Sequence, residues 1–137
     1  MSYEYYLNVL QNNYANFNGR ARRSEYWFFT LFNTIAIISL AIFSAVIGSF
    51  GFILVLIYFL GIIVPLLALI TRRLHDIGKS GWFYLVAFIP LVGGIWILVL
   101  FCTDSNYGPN QYGLNPKGLG NEKSDEQAIK SIGTPIQ

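Results

Sequence analysis

From Tyr26 to Thr71 the chain carries no Asp, Glu, Lys or Arg. That silence constrains the fold more than any motif does. A helix at a soluble surface must show water one polar face, so charges recur along it every few residues. An apolar run of roughly 18 residues or more reads instead as a membrane span. The composition agrees, because only 12% of residues are charged, about half the roughly 25% of soluble domains. Aromatic residues reach 17%, and Tyr and Trp suit the membrane–water boundary.

The uncharged stretch divides at Gly48-Ser49-Phe50-Gly51. It predicts one span over residues 26–47 and a second over 52–70. At about 1.5 Å per residue, each crosses or nearly crosses a hydrocarbon core of about 30 Å. Asn33, Ile37, Ala41, Ser44 and Gly48 share a face of the first span, where small and weakly polar side chains admit another helix. Pro65 lies near the end of the second. It lacks an N–H, so a kink is expected there, and a neighbour must satisfy the carbonyl it frees.

Charge returns at Thr71-Arg72-Arg73-Leu74-His75-Asp76-Ile77-Gly78-Lys79-Ser80-Gly81, which reads as a short polar loop. A third apolar stretch covers 82–101, interrupted by Pro90, Gly93 and Gly94. Its first reading is a kinked single span, its alternative a re-entrant pair of half-helices. Before the spans, Tyr3, Tyr6, Leu7, Leu10, Tyr14 and Phe17 recur at helical spacing among Asn, Gln and Glu. This is an amphipathic helix suited to the interface. After Cys102 come turn residues, and residues 117–137 are polar enough to be disordered. The fold class is thus an all-α membrane protein: an interfacial N-terminal helix and about three transmembrane helices, the third kinked or broken at Pro90. Residues 1–116 form its single domain.

Charges also suggest an orientation. Arg20, Arg22, Arg23, Arg72, Arg73 and Lys79 flank the spans on one side, which the positive-inside rule makes cytoplasmic. Three full crossings would put the C-terminus on the other side; a re-entrant third stretch would return it. No secretory signal peptide is visible, and the lone Cys102 excludes an intramolecular disulfide.

Four segments carry a family resemblance. They are Phe17-Asn18-Gly19-Arg20-Ala21-Arg22-Arg23-Ser24-Glu25-Tyr26-Trp27, Arg72-Arg73-Leu74-His75-Asp76-Ile77-Gly78-Lys79-Ser80-Gly81-Trp82, Ile89-Pro90-Leu91-Val92-Gly93, and Asn110-Gln111-Tyr112-Gly113-Leu114-Asn115-Pro116. In this order they resemble the signatures of the small bacterial inner-membrane proteins grouped as domain of unknown function 805, over roughly residues 10–118. The resemblance implies a membrane location and a shared helical fold, and supplies no activity. One position departs: Gln111 stands where the family commonly has arginine, so an ion pair built on that arginine is absent here.

The candidate site is the polar cluster of Arg20, Arg22, Arg23, Glu25, Arg72, Arg73, His75, Asp76 and Lys79. Guanidinium forks match phosphate oxygens, so such a cluster can bind an anion or a lipid headgroup. The plainer reading is a topology signal with internal salt bridges, Arg23 or Arg73 to Asp76. Catalysis has little to stand on. His75 and Asp76 are adjacent, and adjacent residues of a helix do not face each other. One His and one Cys cannot supply a zinc site. Gly78-Lys79-Ser80 lacks the upstream glycine and the strand of a phosphate-binding loop, and no Gly-x-Ser-x-Gly elbow exists. No cofactor or metal is expected. The expected function is a non-enzymatic inner-membrane protein that binds lipid headgroups or a partner through the arginines. A small permease or channel subunit, and an enzyme on a phosphorylated lipid, are the alternatives. Expected partners are membrane lipids and a second copy or another membrane protein, without nucleic acid.

Overall fold

The computed structural model describes residues 2–121, 129–130 and 132–133. The chain is all-helical in its regular elements: α1 (Ser2–Gln11), α2 (Arg23–Ile47), α3 (Ser49–Asp76), a 3-10 helix (Gly81–Phe88) and α4 (Gly93–Cys102). It divides into two compact units, Met1–Phe17 with Ser24–Thr71 and Asn18–Arg23 with Arg72–Gln137.

The first unit holds the membrane-spanning helices. α2 has 25 residues and α3 has 28, and both are long and apolar enough to cross. The uncharged part of α3 ends at Thr71, and the charged residues Arg72, Arg73 and Asp76 lie in its last turns. A single residue, Gly48, joins the two helices in the left-handed region at φ +83°. Close packing follows at once. A Cβ on Gly51 would collide with the Ser44 Cα, so part of the small-residue face of α2 is consumed inside the chain. Asn33 is engaged there too, accepting from the Tyr58 hydroxyl at 2.6 Å.

Polar side chains in the spans return their hydrogen bonds locally. Thr30, Thr34 and Ser39 donate to the carbonyls of Tyr26, Thr30 and Ile35, four residues back. Nothing in lipid would otherwise accept them. α1 lays its aromatic face on α2, with Tyr5 stacked on Phe28 and Tyr6 tilted against Phe29 and Phe32. Tyr6 also meets Tyr58 of α3 through their hydroxyls at 3.3 Å.

Pro65 is fully buried and α3 runs on through it. The carbonyl it frees belongs to Gly61, four residues earlier. The Tyr14 hydroxyl donates to that oxygen, which is the neighbour that the sequence demands.

The second unit differs from the sequence reading in three ways. α3 continues through Arg72, Arg73, His75 and Asp76, where a loop was expected. It then stops in a Schellman turn, with Lys79 N bonded to Leu74 O at 2.8 Å and Gly78 N to His75 O at 3.0 Å. The third apolar stretch is broken at Pro90, as expected, but it is no kinked rod. Its two halves fold onto each other, Phe83 edge-on to Trp96 and Tyr84 stacked on Phe101. Gly93 permits the approach, since a Cβ there would collide with the Val86 carbonyl oxygen. Finally, Lys117–Asn121 of the expected disordered tail form turns, and Asn115 and Asn121 exchange two hydrogen bonds at 2.8 and 3.0 Å. The rest of that expectation, at 122–128, 131 and 134–137, lies outside the described residues.

Tyr14→Phe strands the Gly61 carbonyl and should cost about 1 kcal/mol of stability. In a Pro65→Ala background, residue 65 regains an N–H for that carbonyl, and the same substitution should cost measurably less. Thermal unfolding of the four variants in mild detergent checks the coupling.

Candidate functional site

The second unit is built around one carboxylate. Asp76 is fully buried in the last turn of α3. Its Oδ1 accepts from Arg20 Nε at 3.0 Å, and its Oδ2 from Arg73 Nη1 at 2.6 Å. The Ser105 hydroxyl donates to the same Oδ2 at 2.5 Å. Burying ions is costly unless every charge is paired and hydrogen-bonded, and this cluster answers that demand closely.

Arg20 uses every N–H that a guanidinium has. Besides Asp76 Oδ1, it donates to the carbonyls of Asp76 at 3.2 Å, Asn106 at 2.8 Å, Gly108 at 2.8 Å and Gly113 at 3.3 Å. Its side chain is 1% exposed. It is therefore a clamp between the end of α3 and the loop after α4, with no donor left for a ligand.

Arg73, also fully buried, donates through Nη2 to the carbonyls of Phe101 and Thr103. Arg23 is exposed and donates to the Cys102 carbonyl at 3.0 Å. Two arginines thus satisfy carbonyls at the C-terminal end of α4, where a helix dipole favours positive charge. Burial pushes the Arg73 pKa down, and Asp76 opposes it. Of the two salt bridges considered from sequence, Arg73–Asp76 forms; Asp76 takes Arg20 rather than Arg23.

His75 is held apart from this pair. Its Nδ1 lies 3.0 Å from the Gly19 carbonyl. A carbonyl can only accept, so the proton sits on Nδ1. The ring stacks on Tyr112 at 3.8 Å and 2°. Burial lowers its pKa from the ordinary 6.5, and the bond to Gly19 partly offsets this. The His75 carbonyl accepts from Asn110 Nδ2 at 2.8 Å. The Asn110–Gly113 turn is thereby docked onto the end of α3, and Gln111 is exposed on it.

The remaining candidates scatter. Arg72 is buried. Arg22 is half-buried, and its Nε is buried without a hydrogen bond. Lys79 is exposed, over the Phe83 ring at 5.4 Å. Glu25 belongs to the first unit, buried in the first turn of α2. Among the described residues, no three His, Cys, Asp or Glu side chains gather to hold a metal.

The loop 103–121 is the part that sequence reasoning missed. Its Ser105 hydroxyl and the carbonyls of Thr103, Asn106, Gly108 and Gly113 are first partners of the cluster. Asn115 braces it, donating to the Asn106 carbonyl at 2.8 Å. Lys117 pairs with Asp104 and holds that carboxyl below its usual range. The one available signal was the Asn110–Pro116 motif, whose Asn110, Tyr112 and Asn115 all dock.

Two apolar helices of spanning length and a buried Arg–Asp–Arg cluster define a small multi-pass helical membrane protein. The chain belongs to the family described as protein of unknown function (DUF805), whose model matches residues 14–114. It is 44% identical over 114 residues to inner membrane protein YhaI of Escherichia coli strain K12, covering 83% of this chain and 96% of that protein. It is 39% identical over 118 residues to inner membrane protein YhaH of the same strain, covering 83% and 97%. No solved structure matches it significantly.

Asp76→Asn leaves Arg20 and Arg73 buried without their counter-charge and should cost about 3–5 kcal/mol. Replacing Arg73 and Asp76 together by Met and Leu should cost less, and unfolding in detergent compares the two. A second prediction concerns pH. The folded state holds His75 below its unfolded pKa of 6.5, so it binds fewer protons than the unfolded chain. Stability is complete above about pH 6.5 and falls as pH drops toward the lowered value. His75→Gln should flatten that part of the pH profile of Tm.

Proposed function

We propose that this inner-membrane protein is non-enzymatic and binds anionic lipid headgroups on the cytoplasmic face through the cations at the rim of its arginine cluster. The observation that carries this is a charge imbalance. Arg20, Arg22, Arg23, Arg72, Arg73 and Lys79 gather six cations in one unit, where Asp76 pairs with Arg20 and Arg73 and Asp104 adds a second carboxylate near Arg73 and Arg23. Excess positive charge beside a span attracts phosphate-bearing headgroups at about 1 kcal/mol per cation.

The residues divide by role. Arg20, Arg73 and Asp76 are the scaffold, buried and bonded to one another or to loop carbonyls. Lys79 is exposed and Arg22 half-buried, and these two are the ligand-facing set; Arg23 is exposed as well but also holds the Cys102 carbonyl. The cytoplasmic assignment follows from positive charge flanking the spans. A non-enzymatic reading is favoured because Asp76 is saturated by its partners and the His75 Nδ1 proton is committed to Gly19.

Arg22→Gln and Lys79→Gln combined should lower retention of phosphatidylglycerol and cardiolipin several-fold in native mass spectrometry, with Tm little changed. Unchanged retention in the folded double variant sinks the assignment. Arg73 and Arg23 are unsuited to this test, because their loss frees carbonyls at the end of α4.

A further inference from the structure

The apolar stretch that follows α3 is most exposed where a soluble fold would protect it best. Trp82 is 82% exposed, Phe88 75% and Leu91 93%. Both ends of the stretch return to one place. At its start, Gly81 follows directly on the Schellman turn that ends α3 at Asp76. At its end, the carbonyls of Phe101, Cys102 and Thr103 are held by Arg73 and Arg23. Asn106 N completes the closure on the Asp76 carbonyl at 2.9 Å. A segment tied at both ends to one cluster does not cross a membrane.

The legs have a matching length. The 3-10 helix has eight residues, about 16 Å at its rise of about 2.0 Å. α4 has ten, about 15 Å. Each is half the roughly 30 Å of a hydrocarbon core, which is the depth of one leaflet.

The tip is made for lipid. Ile89 N bonds to Val86 O at 3.0 Å, Val92 N to Pro90 O at 2.8 Å, and Gly93 N to Ile89 O at 3.0 Å, while Pro90 has no N–H to satisfy. Of positions 89–93 only Leu91 keeps an N–H without a backbone acceptor, and donors closed on the chain itself are what a bilayer interior requires. Leu91 sits at the apex with φ +67°, a conformation that costs a bulky residue of this kind energy and a glycine almost none. The chain keeps a large apolar side chain there although no protein surface covers it.

We propose that residues 81–102 form a re-entrant hairpin that inserts its apex, Phe88 to Val92, into the acyl chains of the leaflet on the arginine side, so that the chain crosses the membrane twice and its two termini share one side. The occupant of the exposed face is lipid acyl chain. This inference is independent of headgroup binding, since it rests on the hairpin's tie points and lengths.

Two measurements on the full-length chain test it. In the first, the wild-type sequence carries a green fluorescent protein or an alkaline phosphatase at its C-terminus, and separately at its N-terminus. Both fluorescent fusions should glow and both phosphatase fusions should be inactive. An active C-terminal phosphatase beside a fluorescent N-terminal fusion means a third crossing and overturns the proposal. In the second, Leu91→Cys in a Cys102→Ser background carries a bimane label in phosphatidylcholine–phosphatidylglycerol vesicles. Spin-labelled acyl chains should quench it at least twofold more than a spin-labelled headgroup. Stronger headgroup quenching, or ready reaction of the introduced thiol with a membrane-impermeant maleimide, places the apex in water and overturns it. Efficient disulfide crosslinking between two copies of the Leu91→Cys variant, with little acyl-chain quenching, means that a second copy covers the apex, and overturns the lipid assignment as well.

Discussion

A carboxylate shared by two buried guanidinium groups organises the second unit. Asp76 draws Arg20 from ahead of α2, Arg73 from its own helix and Ser105 from the loop behind α4. These segments are distant in sequence and share no β-ladder, so backbone pairing cannot join them. The planar fork of arginine does the joining instead. It reaches carbonyls in fixed directions, which the single ammonium of a lysine cannot do. The cost of desolvating three ions is offset only because nearly all of their hydrogen-bonding capacity is used. Arg73 Nε is a remaining exception, buried without an acceptor.

The hairpin depends on this cluster. An apolar stretch such as 82–101 has no internal reason to stop short of crossing a membrane; Pro90 permits a break without dictating a reversal. What decides is where the ends are held. Arg73 and Arg23 fasten the α4 end, and the Schellman turn fixes the other directly after Asp76. With both ends fixed, the chain must turn within its own length. The left-handed Leu91 at the apex is the local consequence.

This difference also explains what was legible in the sequence. The two spans were readable because missing charge is a property of each residue by itself. The need for a donor at the carbonyl freed by Pro65 was readable as well, although Tyr14 as its source was not. The end of α3 was not readable. Arg72-Arg73-Leu74-His75-Asp76 looks like a solvated loop, and it is helical and buried only because its partners lie at residues 20 and 101–113. The loop 103–121 was hidden for a different reason. It serves the cluster largely through main-chain carbonyls, which every residue has, so composition carries no trace of them. Kinked span and hairpin were equally apolar, and hydrophobic periodicity could not separate them.

The same geometry bears on how arginine next to a membrane should be understood. Positive charge flanking a span acts as a topology signal through its sum, whatever the side chains touch. Here the sum is reached with residues in opposite situations. Arg20 and Arg73 are internal and spent on fixed acceptors, while Arg23 and Lys79 stay at the surface. Asp76 answers Arg20 and Arg73 by direct pairing, and Asp104 lies near Arg73 and Arg23 from the loop behind α4. His75 sits beside this cluster without joining it, its ring stacked on Tyr112 and its Nδ1 bonded to the Gly19 carbonyl. Fold and charge therefore divide the cluster: Arg20 and Arg73 are buried and build the unit, Lys79 lies at its surface, and Arg23 does both, exposed and bonded to the Cys102 carbonyl.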